Sequence, residues 1–210
     1  MKKRYLSVTG TMGVGKSTLT KLLADRLSYR AVYEKFNGNV FLPRFFSDRK
    51  RWAFHSQTYF LIEKINLLIN ISKSHKSVVQ DTNIYTDIFS YARAQYRQKN
   101  MEKAEWELFL RIYKLAEKQL PKPDLIIYLE APSKIIYDRI MKRNRDFEAK
   151  TKKQDFLKYL DLLTICNDEW IKKESRKSNL LKVDTTKLDY LNNPEHEKKL
   201  LGMIKKYAKI

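Results

Sequence analysis

The chain has 210 residues and a formal net charge of +19, from 43 lysines and arginines against 24 acids. Its 43% hydrophobic and 12% aromatic content suits one globular domain spanning 1–210. One cysteine, Cys166, excludes an internal disulfide, and no window nears the roughly 18 uncharged apolar residues of a membrane span. The N-terminal MKKRYLSV carries charge without a following apolar region, so an export signal is unsupported and a cytoplasmic location is expected. Lysines occur in nearly every segment with no aromatic-interleaved basic tract, so a nucleic-acid partner is the least favoured reading of the charge.

In chain order, residues 5–9 form a short β-favouring run that enters a glycine-rich turn. Leu19, Leu22, Leu23 and Leu27 then mark one helix face. Residues 30–33 read as a second strand, residues 52–71 as a helix, and residues 77–80 as a third strand. Helical stretches follow at about 87–99 and 102–120, the latter stopped by Pro121 and Pro123. Residues 124–129, DLIIYL, have the continuous apolar character of a central parallel strand. A helix over 133–142, a long helix over 154–174, a strand over 180–183 and a terminal helix capped by Asn193 complete the pattern. Cys166 reads as a small residue on the long helix. This alternation predicts an α/β fold with a central parallel sheet of about five strands flanked by helices.

GTMGVGKST, residues 10–18, fits G-x-x-x-x-G-K-[ST] between a strand and a helix. Gly10, Thr11, Met12, Gly13, Val14, Gly15, Lys16, Ser17 and Thr18 would therefore bind the phosphates of ATP, because glycines let backbone N–H groups close around an anion at a helix start. Lys16 would reach the β and γ phosphates, and Ser17 would ligate Mg²⁺. The loop makes the fold a three-layer P-loop NTPase.

Other charged stations between residues 4 and 175 make the chain resemble the deoxyribonucleoside kinase family. The resemblance implies phosphorylation of a deoxynucleoside 5′-hydroxyl by ATP and Mg²⁺. AVYEKFNGN resembles the family segment that supplies the catalytic carboxylate, here Glu34. RWAFHSQTYFLIEK resembles its base-binding helix. There Gln57 fits the base-reading glutamine and shares a face with Lys64, also assigned to substrate. An amide in an apolar stripe needs a partner, either the base or a neighbouring backbone group.

Arg139, Arg143 and Arg145 resemble the family's catalytic arginine-rich lid, about residues 143–153, and Glu148 its glutamate near the sugar 3′-hydroxyl. In QDTNIYTD, Asp81 matches the carboxylate on the Mg²⁺ and phosphate side, and Asp87 an acceptor at the base edge. The sequence departs from the family pattern at Thr82, where an arginine is usual, and at Phe46, where a tyrosine contacts the sugar. Lys35 replaces a proline and Asn144 a glycine. The resemblance also implies a homodimer, for which Trp106, Leu110 and Tyr113 could serve as well as for the core. Paired with Asp87, Gln57 gives purines a slight preference. The alternatives are a nucleoside monophosphate kinase of the thymidylate type, against which Thr82 argues, and a nucleotide-binding protein with weakened catalysis.

Overall fold

Strands covered on both faces need near-continuous apolar sequence, and YLSVTG and LIIYLE supply it. They form β1 (Tyr5–Gly10) and β4 (Leu125–Glu130), neighbours inside a five-stranded sheet. The computed structural model describes residues 3–34, 38–143 and 152–210. Lys35, Asn144, Arg145 and Glu148 lie outside them.

With β2 (Arg30–Val32), β3 (Val78–Asp81) and β5 (Leu180–Asp184), the strand order is β2-β3-β1-β4-β5 and every pairing is parallel. Val8 lies opposite Asp81, and Gly10 opposite Leu129. The carboxyl ends of β1 and β3 therefore emerge side by side, where ligands bind in such sheets. This is the expected α/β architecture.

The helices, in chain order, are α1 (Lys16–Leu27), α2 (Leu42–Ser47), α3 (Arg49–Ser72) and α4 (Ile84–Thr86). A π-helical stretch (Asp87–Ala92) leads into α5 (Arg93–Arg97) and α6 (Lys103–Glu117). The last three are α7 (Ser133–Arg143), α8 (Lys153–Glu174) and α9 (Pro194–Ala208). Cys166 is buried on α8, and Asn193 caps α9 by accepting from the backbone N–H of Glu195 and His196.

The chain packs as two units. One contains Met1–Tyr33, His75–Thr82 and Pro123–Ile210, and so the whole sheet. Its core follows from register: Leu6, Val8, Leu125, Ile127, Leu129, Leu181 and Val183 alternate along paired strands and share one face, against Leu19, Ile136, Ile140 and Leu200. The other contains Glu34–Ser74 and Asn83–Lys122. There α3 packs on α6 and on the π-helical stretch, burying Leu61, Leu68, Ile88 and Phe109. Asp48 starts α3 by accepting from the Arg51 N–H at 3.0 Å.

Two local features differ from the sequence pattern. Helix α2 is too short for periodicity to register. The helix expected from about residue 87 instead begins at Ile84 and passes through a π-helical stretch, which inserts a residue without changing the apolar pattern.

Candidate functional site

Gly10, Gly13 and Gly15 have φ of 140°, 78° and 111°, in a region where only glycine is at ease. A Cβ on Gly10 would strike the Leu129 carbonyl oxygen, and one on Gly13 would lie 2.5 Å from Ile140 Cγ1. Backbone curvature and close packing thus both demand glycine. The loop ends on Gly15, which precedes α1, so the N–H groups of the first turn are available to an anion. Lys16 Nζ folds back and donates to the Thr11 carbonyl at 3.2 Å.

Asp81, at the last position of β3, is 5% exposed. Ser17 Oγ donates to its Oδ2 at 2.5 Å and Thr82 Oγ1 to its Oδ1 at 3.1 Å, so each carboxylate oxygen is held by a hydroxyl. Asp81 is thereby tied to the phosphate loop rather than opening a turn. Thr82 itself has φ of 61°, and its N–H donates to the Val8 carbonyl at 2.8 Å. A buried β-branched residue with left-handed backbone is strained.

Two side chains support the loop: Asn167, which the sequence did not single out, and Arg139, which the resemblance assigned to the lid. Asn167 of α8, fully buried, donates from Nδ2 to Thr11 Oγ1 at 3.2 Å and accepts from Trp170 Nε1 at 2.9 Å. Its signal was available: an amide within the helical stripe Leu160, Leu163, Trp170 and Ile171 needs a partner. Arg139 donates from Nη1 to the Val14 carbonyl at 3.3 Å and to Thr185 Oγ1 at 2.8 Å, and from Nη2 to the Thr185 carbonyl at 3.2 Å. Arg143 ends α7 exposed.

In the other unit, Glu34, Lys64 and Asp87 come together. Lys64 Nζ lies 2.8 Å from Glu34 Oε1 and 3.3 Å from Asp87 Oδ2. Gln57, two turns before Lys64 on α3, is 8% exposed, and its side chain has no hydrogen-bond partner among the described residues. Phe46 is 37% exposed, its ring edge-on to Phe45 at 5.4 Å. Among the described residues, no helix is long and apolar enough to cross a membrane.

Comparison with known proteins is consistent with these features. The family model described as deoxynucleoside kinase matches residues 6–209. The deoxyadenosine/deoxycytidine kinase of Bacillus subtilis (strain 168) is 36% identical over 152 residues, 71% of this chain and 70% of its own. The deoxyadenosine kinase of Lactobacillus acidophilus is 28% identical, covering 96% of this chain and 94% of its own. The deoxyadenosine kinase of M. mycoides, solved with dCMP and dCDP bound, superposes with a TM-score of 0.82 at 22% identity, over 96% of this chain and 99% of that one. A glycine loop between strand and helix, an acid at the end of β3 tied to it, and a family match across nearly the whole chain lead to one conclusion: this protein belongs to the deoxynucleoside kinase family and is a phosphotransferase.

Proposed function

We propose that the chain transfers the γ-phosphoryl group of ATP to the 5′-hydroxyl of a deoxynucleoside, with purines preferred and Mg²⁺ required. The carrying observation is the convergence of Glu34, Lys64 and Asp87, with Gln57 on the α3 helix that also bears Lys64. An amide offers one donor group and one acceptor group, and a base edge carries the matching acceptor and donor. Gln57 supplies both kinds of group and Asp87 an acceptor, which favours a purine.

Residues 10–18 would hold the triphosphate through backbone N–H groups, with Lys16 leaving the Thr11 carbonyl for the β and γ phosphates. The Ser17 hydroxyl and Asp81 carboxylate are hard oxygen donors held together, a set that fits Mg²⁺, and the remaining positions would fall to phosphate and water. Bound there, the ion would neutralise charge on the phosphates. Glu34 would orient the 5′-hydroxyl and accept its proton late in a loose transition state. Arg139, which faces the phosphate loop, would stabilise the transferred group together with Arg143 and Arg145. Phe46 and Glu148 would line the sugar, and Glu148, Arg145 and the proposed lid over 143–153 rest on the resemblance alone.

The whole chain is read as one kinase domain that works in the cytoplasm as a homodimer. Ile62 and Ile69 of α3 and Leu108 and Leu115 of α6 are exposed pairs at seven-residue spacing, which suits helix-to-helix association.

ADP formation assayed with a panel of deoxynucleosides, ribonucleosides and monophosphates tests the reading. Turnover should require a deoxynucleoside, and Glu34→Gln should lower kcat by about 10²- to 10⁴-fold while ATP binding persists. Turnover with monophosphates alone would favour the thymidylate-type reaction. An unchanged rate in Glu34→Gln would remove Glu34 from the mechanism, and ATP binding without any transfer would mean that catalysis has been lost.

A further inference from the structure

Lys64 is 2% exposed at its side chain, and the carboxylates it bridges, Glu34 and Asp87, are 12% and 9% exposed. The three come from separate stretches of one unit: the residue two past the end of β2, the middle of α3 and the start of the π-helical stretch. One ammonium stands against two carboxylates in a site with little water, so its charge is divided between them. At 2.8 Å and 3.3 Å the division favours Glu34. A change in what Asp87 accepts therefore changes how firmly Lys64 holds Glu34.

We propose that Lys64 is a positioning residue for Glu34 and couples it to Asp87, so that seating the base at Asp87 fixes the carboxylate that handles the 5′-hydroxyl. This rests on the roles given to Glu34 and Asp87 above. A base N–H that donates to Asp87 meets part of that carboxylate's demand, and the ammonium settles on Glu34. A poorly matched base leaves the ammonium shared and Glu34 loosely held. Base identity then acts on kcat as well as on KM, although the base does not take part in the chemical step.

The test is a double-mutant cycle of Lys64→Met and Asp87→Asn, read by kcat, KM and urea unfolding. In the parent chain Asp87→Asn should raise KM and also lower kcat, by about tenfold. Lys64→Met removes the ammonium that lies against both carboxylates. In that background Asp87→Asn removes one of the repelling charges, so it should raise kcat and stability instead of lowering them. Lys64→Arg should recover part of the kcat that Lys64→Met loses, because the cation is restored.

Equal effects of Asp87→Asn on kcat in both backgrounds would overturn the proposal. So would a reversal confined to unfolding while the kcat effects add, which would make the three residues a packing feature only. Where Lys64→Met is too unstable to assay, the double variant should still be the more stable of the two, and the opposite order overturns the coupling. A parent chain that phosphorylates no deoxynucleoside would sink the proposed function instead, and the unfolding arm would still decide whether the charges are coupled.

Discussion

Thr82 carries two effects that substitutions can separate. Its backbone has φ of 61° and its hydroxyl donates to Asp81. Alanine and glycine both remove the hydroxyl and methyl, but only alanine keeps a Cβ in the left-handed region, at a cost of about 1–2 kcal/mol. Thr82→Gly should therefore unfold at higher urea than Thr82→Ala, by about 1 kcal/mol, against the usual order of the two residues. The opposite order would mean that the chain is not held there in left-handed geometry. The sequence marked Thr82 as a departure but could not reveal its backbone, because a single residue leaves no periodic signal. Asp81 was legible, since a strand end beside a phosphate loop restricts what an acid there can touch. The Glu34–Lys64–Asp87 cluster was legible only in part: shared helix faces can be read from spacing, whereas a contact among three distant segments requires the fold.

Strands and long helices were the most legible elements, since burial on both faces imposes continuous apolar runs and burial on one imposes a helical stripe. The π-helical stretch and α2 were not, because neither changes the pattern of apolar residues enough. Helix α8 does more than cover the sheet: through Trp170 and Asn167 it carries a hydrogen-bond chain to Thr11 of the phosphate loop. Asn167→Leu leaves the Trp170 N–H without its acceptor and frees the Thr11 hydroxyl. Losing a buried partner costs about 1–3 kcal/mol, so urea unfolding should register a loss of that size. KM for ATP should rise with smaller effect on KM for the nucleoside. Equal changes in both would place the damage in the fold generally.

For the molecule as a whole, the charge of +19 is largely a solvated surface property, while its pH limits come from buried groups. Burial, with help from Asp168 and Glu130, pushes the Tyr128 phenol far above its usual value. Burial also raises Tyr190, opposed by Arg139. A phenol whose folded value is raised contributes stability that is complete below the ordinary tyrosine value of 10.0 and lost as pH climbs through the folded one. The urea midpoint should thus fall above about pH 10, and ultraviolet titration should find tyrosines that ionise only as the chain unfolds. Ionisation of all 13 tyrosines in a single step with the fold intact would contradict this.

The phosphate loop is also less portable than its motif suggests. The pattern G-x-x-x-x-G-K-[ST] leaves position 13 open to any residue. Here Gly13 rests on Ile136 and Ile140 of α7, and Arg139, one turn of the same helix on from Ile136, grips the Val14 carbonyl. Transplanting these nine residues into another sheet would carry the motif without the surface it is fitted to. Within this chain a side chain at position 13 meets both the left-handed backbone there and Ile140, so shrinking residue 140 would relieve only the second of the two obstacles.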